Sequence, residues 1–146
     1  MNNQVSQVRE TAEKYYRDGD YLCSEAVFTV INDYLGNPVP REAVCLASGF
    51  PVGIGMAGCT CGALTGGVMA LGLNFGRRIP GAEMPGMFEA AKKLHDDFKE
   101  QFGSTCCRVL IREFEFGSPE HLEHCINVTG CVAEMVMNQI HPPARE

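Results

Sequence analysis

Residues 43–76 form a run in which the only ionisable side chains are thiols. Nine of its 34 positions are glycine, and Pro51 interrupts it. A helix that faces lipid is normally richer in leucine, isoleucine and valine, so we expect no membrane span in this run. Because so long an uncharged segment has to be buried, the rest of the chain is expected to fold around it, with a buried helix at its centre.

Apolar residues recur at helical spacing along most of the chain. Gly19, Gly36 and Gly103 are expected to end helices, and Ser118 followed by Pro119 is typical of a helix start. Pro142 and Pro143 are expected to stop the last helix. The predicted helices cover residues 4–18, 23–35, 41–48, 61–76, 85–102, 106–111 and 119–140, and residues 49–58 are predicted to be loop.

The pattern predicts an all-α fold, because no segment shows the period of two that strands produce. We expect a single helical domain over residues 1–146, with about five main helices and short ones between them. The chain carries a formal net charge of -6 and few clustered basic residues, so nucleic acid is not an expected partner.

The first ten residues lack the apolar segment of a secretory signal, which favours a cytoplasmic location. The chain contains eight cysteines. In a reducing compartment, so many cysteines indicate metal binding or redox chemistry rather than a disulfide framework.

Several cysteines occur where helices are predicted to begin. Cys23 precedes the second helix, Cys61 opens the central helix, and Cys125 lies in the first turns of the last one. Cys106 and Cys107 open a short helix, but neighbours lie 100° apart, so one of the two is expected to pack. The partial positive charge of a helix N-terminus stabilises thiolate, the form that binds metal or attacks a disulfide.

The remaining cysteines have weaker patterns. Cys45 lies in an apolar run and Cys131 faces away from Cys125, so both are predicted to pack as small apolar residues. Cys59 and Cys61 could reach one metal, but C-x-C is a weak motif, and zinc-ribbon, haem-attachment and ferredoxin spacings are absent from the sequence. Gly62 and Gly66 share a helix face, which leaves room for a backbone or an inorganic group.

Two histidines near Cys125 raise a further possibility. His121 and His124 could approach a metal that Cys125 also binds. Glu120 and Glu123 share this segment, so we favour a solvated helix face for both histidines.

The segment CGALTGGVMALGLNFG resembles the CGAxxG block of the C-GCAxxG-C-C family. The flanking segments CSEAV, CRVL and CINVTGCVAE agree, so the resemblance extends from residue 23 to about residue 140. The four cysteines of the family fall on Cys23, Cys61, Cys107 and Cys125, with Cys131 as the alternative for the fourth. The resemblance implies a helical redox domain, and a related domain of split-Soret-type cytochromes is similar to an iron–sulfur carrier.

Cys23, Cys61, Cys107 and Cys125 are therefore expected to bind a [2Fe–2S] or [4Fe–4S] cluster that exchanges electrons with a redox partner protein. Gly62 and Gly66 would leave room for the cluster, and Cys59 is a further candidate ligand. The sequence leaves three alternatives open. They are a thiol–disulfide redox protein that uses Cys59 or Cys61, a structural zinc protein, and an interaction subunit that forms a homodimer or a complex through residues 43–76.

Overall fold

The computed structural model describes residues 3–141. Within this range the chain is helical, and its only β pairing is an isolated bridge between Thr60 and Cys106. The predicted all-α fold is confirmed. The helices are α1 (Asn3–Arg17), α2 (Cys23–Tyr34), a 3-10 helix (Arg41–Ala47), α3 (Pro51–Ile54), α4 (Gly62–Phe75), α5 (Met87–Phe102), α6 (Cys107–Leu110) and α7 (Pro119–Ile140).

Helix α4 is the central helix that the uncharged run predicts. It packs against α2, α5 and α7, and α7 also packs against α1 and α2. Fully buried side chains from these helices form one core, which includes Ile31, Leu71, Leu94, Phe98 and Val132. Burying this apolar surface is the main stabilising contribution to the bundle.

The expected helix ends are confirmed where they can be compared. The backbone N–H of His121 donates to the Ser118 side chain at 3.2 Å, so Ser118 caps α7 as predicted. Gly103 has φ of 82° and ends α5, a conformation that glycine adopts without strain. The predicted stop at Pro142 and Pro143 lies outside the described residues.

Residues 41–58 differ in detail from the expectation. The predicted third helix is a 3-10 helix, and the predicted loop contains the single turn α3. Positive φ angles run from Val52 to Met56, which is unusual because Val52 and Ile54 are β-branched. Backbone hydrogen bonds from Gly58 to Val52 (3.2 Å) and from Cys59 to Gly53 (3.0 Å) hold this turn.

Helices α2 and α4 approach each other closely at Gly66. A Cβ atom at Gly66 would lie 2.6 Å from the Cα and the carbonyl oxygen of Ser24, far inside van der Waals contact. Only glycine permits this approach, which brings the first residue of α2, Cys23, towards the start of α4.

Among residues 3–141, none of the helices combines the length and the apolar composition that crossing a bilayer would require.

Candidate metal centre

Four of the eight cysteines line one cavity of about 220 Å³. They are the four to which the sequence assigned a shared site, and each comes from a different segment. Cys23 begins α2, Cys61 precedes α4, Cys107 begins α6, and Cys125 lies in α7. The cavity is far larger than the ~10–15 Å³ that a single water needs.

Gly62 brings Cys23 and Cys61 to the same wall of the cavity. A Cβ atom at Gly62 would lie 2.6 Å from the Cys23 sulfur and 3.1 Å from the Phe50 carbonyl oxygen. Cys61 itself is fixed by its backbone N–H, which donates to the Thr105 carbonyl at 2.8 Å. Gly62 is therefore a required glycine, because any side chain there would displace Cys23.

Backbone bonds from the loop before α4 position Cys107. The N–H of Cys107 donates to the Cys59 carbonyl at 2.6 Å, and the N–H of Arg108 donates to the Gly58 carbonyl at 3.1 Å. The Cys106 thiol donates to the same Gly58 carbonyl at 3.1 Å. The expectation that one of the two neighbouring cysteines packs is thus met by Cys106, which holds the loop while Cys107 faces the cavity.

Cys125 lies in the second turn of α7 rather than at its N-terminus. Its sulfur interacts with the hydroxyl of Tyr16 from α1, and this hydrogen bond favours the thiolate form of Cys125. The predicted positions are therefore confirmed, with Cys23, Cys61 and Cys107 at helix starts and Cys125 in the first turns of the last helix. Tyr16 was not among the predicted site residues, and its hydroxyl, which needs a partner when the ring is buried, is the signal that could have singled it out.

Burial raises the pKa of all four cavity thiols in the metal-free protein. It raises the pKa of Cys61 and of Cys125 to about 11 each, and it raises the pKa of Cys23 and Cys107 as well. The neighbouring sulfurs raise the pKa further, since thiolates repel one another.

The amides of Ala63 and Leu64 lower the pKa of Cys61 but only partly offset burial. The amides at the start of α4 thus favour the Cys61 thiolate, as predicted, but burial outweighs them and the pKa is raised overall.

Two residues assigned to the site by sequence do not line this cavity. Cys59 is exposed, and it contributes to the site only through its backbone bond to Cys107. Gly66 packs against the backbone of Ser24, so of the two predicted glycines only Gly62 borders the cavity.

Of the two cysteines predicted to pack in the core, one does so and the other does not. Cys131 is 6% exposed and lies outside the cavity lining, as expected for a packing residue. Cys45 is exposed, so its predicted burial is wrong. Cys45 belongs to a 3-10 helix, whose three residues per turn put it on a different face from the one an α-helix would give.

The two histidines of α7 also line the cavity. His121 is 7% exposed, and burial, with His121 nearby, lowers the pKa of His124. The favoured expectation of a solvated face is therefore wrong. Two phenylalanines from the segment before α7 pack against these rings. The ring centroids of Phe114 and His124 are 5.1 Å apart, and those of Phe116 and His121 are 5.0 Å apart. They cover a helix face that the neighbouring glutamates in the sequence had suggested is solvated.

The cavity opens towards solvent between apolar side chains. Leu22, Phe116 and Leu122 line it and are 46%, 58% and 44% exposed. Within residues 3–141, no three histidine, cysteine, aspartate or glutamate side chains converge closely enough to hold a single metal ion. The four thiols thus line a cavity and do not point at one common metal position.

A family model described as "Putative redox-active protein (C_GCAxxG_C_C)" matches residues 21–139. The chain belongs to the C_GCAxxG_C_C family. The match includes all four cavity cysteines, and the family description supports a redox role for the protein. No curated protein matches the chain. No solved structure matches it either.

Proposed function

We propose that Cys23, Cys61, Cys107 and Cys125 bind an iron–sulfur cluster and that the protein transfers electrons. The observation that supports this most is the meeting of four thiols from four separate segments at one cavity. Cysteine thiolates are the usual ligands of both [2Fe–2S] and [4Fe–4S] clusters.

The cavity fits such a group in donor chemistry and in shape. Its four sulfurs are soft ligands, and Gly62 removes a side chain from the wall that holds Cys23. The four sulfurs do not converge on one point, which suits a cluster because its four thiolates are shared among two or four irons. A single zinc ion would instead need four ligands about 2.3 Å from one centre.

The protein residues have three tasks in this proposal. The four cysteines lose their protons when they bind, and Tyr16 stabilises the Cys125 thiolate by donating a hydrogen bond. The apolar wall, which includes Val52 and Val128, limits the access of water. A bound cluster would supply the one-electron chemistry and the positive charge that keeps the thiolates ionised.

The raised pKa values argue against the thiol–disulfide alternative. A nucleophilic cysteine needs a lowered pKa and an accessible sulfur. Burial raises the pKa of Cys61 to about 11, so this argument applies to Cys61. Cys59 is exposed, and alkylation of the metal-free protein tests whether it is unusually reactive. Zinc stays the second candidate, because the same thiolates would suit it if the site contracted on binding.

The exposed apolar rim is where we expect a redox partner protein to bind. Leu22, Phe116 and Leu122 surround the opening through which the cavity meets solvent. Contact at this rim would place the partner at the shortest route to the cluster. Leu122→Glu should slow electron exchange with that partner while leaving the visible spectrum unchanged.

Serine substitutions test the proposal, because serine keeps the shape of cysteine and removes the thiolate. The protein is prepared without oxygen and its visible absorption is measured. Unmodified protein should be brown, and Cys23→Ser, Cys61→Ser, Cys107→Ser and Cys125→Ser should each lose most of the colour and the iron. Cys45→Ser, at an exposed site outside the cavity, is the matched control and should keep both.

Two results would overturn this proposal. One is a colourless, iron-free unmodified protein. The other is equal loss of colour in Cys45→Ser and Cys125→Ser, since only the second residue lines the cavity.

A further inference from the structure

His121 is a buried polar residue that the proposed function does not use. It is 7% exposed and lines the cavity. It precedes Cys125 by four residues on α7, so the two side chains share one face of the helix.

His121 is held by one hydrogen bond to its ring and one from its backbone. Its Nδ1 accepts a hydrogen bond from the backbone N–H of Gly117 at 2.9 Å, and its own backbone N–H donates to Ser118 at 3.2 Å. The two bonds cap the start of α7 in a way related to the capping box, in which a glutamate or glutamine at this position accepts from the N-cap residue; here the acceptor bond goes to Gly117, one residue earlier. Phe116 stacks on the ring with centroids 5.0 Å apart.

These bonds determine which ring nitrogen carries the proton. A backbone N–H can only donate, so Nδ1 must be the acceptor in its bond with Gly117. In a neutral imidazole the other nitrogen is then protonated, which makes Nε2–H a donor. Histidines that bind metal donate their second ring N–H to an acceptor, and His121 has no such N–H at Nδ1.

We propose that His121 is not a metal ligand and that its Nε2–H donates a hydrogen bond to a sulfur atom of the iron–sulfur site. This inference rests on the proposed function. Glutamate would satisfy the cap equally well, whereas imidazole accepts on one side and donates on the other. A hydrogen bond to sulfur favours the reduced, more negative state and therefore raises the reduction potential.

The first test needs no cluster. In cluster-free protein under mildly alkaline conditions, the nitrogen chemical shifts of His121 should show a proton on Nε2 and none on Nδ1. A proton on Nδ1 would overturn the inference while leaving the four-cysteine proposal intact.

The second test uses the cluster-loaded protein. We expect His121→Leu to shift the midpoint potential to a more negative value and to remove an exchangeable-proton coupling from the pulsed-EPR spectrum of the reduced state. Ser118→Ala removes the other half of the cap and should change neither quantity. His121→Gln keeps an acceptor for Gly117 and a donor, so its potential should lie closer to that of unmodified protein.

Three outcomes separate the possibilities. An unchanged potential in His121→Leu that keeps its cluster would overturn the inference. So would a nitrogen coupling from an iron-bound imidazole in the unmodified protein. Should His121→Leu lose its fold, the Nε2 proton assignment and the His121→Gln potential still decide the question. A colourless unmodified protein would instead overturn the proposed function.

Discussion

The eight cysteines form two sets with different surroundings. Cys23, Cys61, Cys107 and Cys125 line one cavity, where burial raises the pKa of each. The other four are dispersed. Cys45 and Cys59 are exposed, Cys106 donates to the Gly58 carbonyl, and Cys131 is buried among side chains such as Gln101, which donates to its sulfur at 3.6 Å.

This difference shows that position, not residue type, decides what a thiol can do here. An isolated thiol is satisfied by one hydrogen bond or by solvent. Four thiols around one cavity lose water together and repel each other once they ionise, which is costly unless a cation binds. Changes that affect one set and leave the other as the control therefore test this difference, and the expected effects decrease from Gly66→Ala to Tyr16→Phe.

The largest change in stability is expected from Gly66→Ala, which forces α2 and its Cys23 away from α4. Its Cβ would lie 2.6 Å from backbone atoms of Ser24, and backbone cannot yield cheaply. We expect the free energy of unfolding to fall by about 1–3 kcal/mol, and iron content to fall with it. Denaturant unfolding of the variant measures the first quantity.

Gly72→Ala is the matched control on the same helix. Nothing lies within 4 Å of a Cβ there, so alanine should stabilise α4 by up to about 1 kcal/mol through its helix propensity. Equal destabilisation by the two substitutions would show that the close crossing of α2 and α4 is not what positions Cys23.

Stability of the metal-free protein should fall as pH rises from about 9 to about 11. Folding raises the pKa of Cys61 and Cys125 from 9.0 to about 11, so the unfolded chain loses these protons first. Their contribution is complete below pH 9 and is lost as pH rises through the folded values. Unfolding free energies measured across this range should decrease, and Cys61→Ser should make the decrease shallower.

Alkylation of the metal-free protein separates the two sets by access. Two cysteines, Cys45 and Cys59, are exposed and should react first at neutral pH. The cavity thiols should react slowly, because they are partly or fully buried and less ionised. Mass spectrometry of partly labelled protein locates the label, and equal early labelling of Cys61 and Cys45 would contradict the difference between the sets.

How much of this could be read from the sequence depends on how local the signal is. The start of α7 follows from Ser118 and Pro119, and the end of α5 follows from Gly103, because caps act within one turn. The turn at Val52–Met56 could not be predicted, since β-branched residues rarely adopt positive φ and the bonds from Gly58 and Cys59 that help to hold it follow from the fold. The burial of His121 likewise depends on Phe116 lying over it.

The sequence predicted which cysteines line the site, but it did not predict how they are arranged in space. Positions near helix starts and the family resemblance together indicated Cys23, Cys61, Cys107 and Cys125, with Cys131 as the alternative for the fourth. The spacing contains no C-x-x-C pair, so nothing local shows that the four sulfurs meet. Their meeting depends on the crossing at Gly66 and on the bridge between Thr60 and Cys106, which join distant parts of the chain.

The smallest effect is expected from Tyr16→Phe. This substitution removes the hydrogen bond to the Cys125 sulfur and leaves the apolar ring in place. The protein should keep its cluster, and its midpoint potential should become modestly more negative, because a donor to a ligand sulfur is lost. Tyr21→Phe is the control, since Tyr21 is absent from the cavity lining and should leave the potential unchanged.

The most direct test of the central claim is the content of iron, acid-labile sulfide and zinc per chain in protein purified without oxygen. If the four cavity thiols bind an iron–sulfur cluster, iron and labile sulfide should be present in equal amounts, at two or four of each per chain, with little zinc. One zinc per chain without labile sulfide, or no metal at all, would contradict the account.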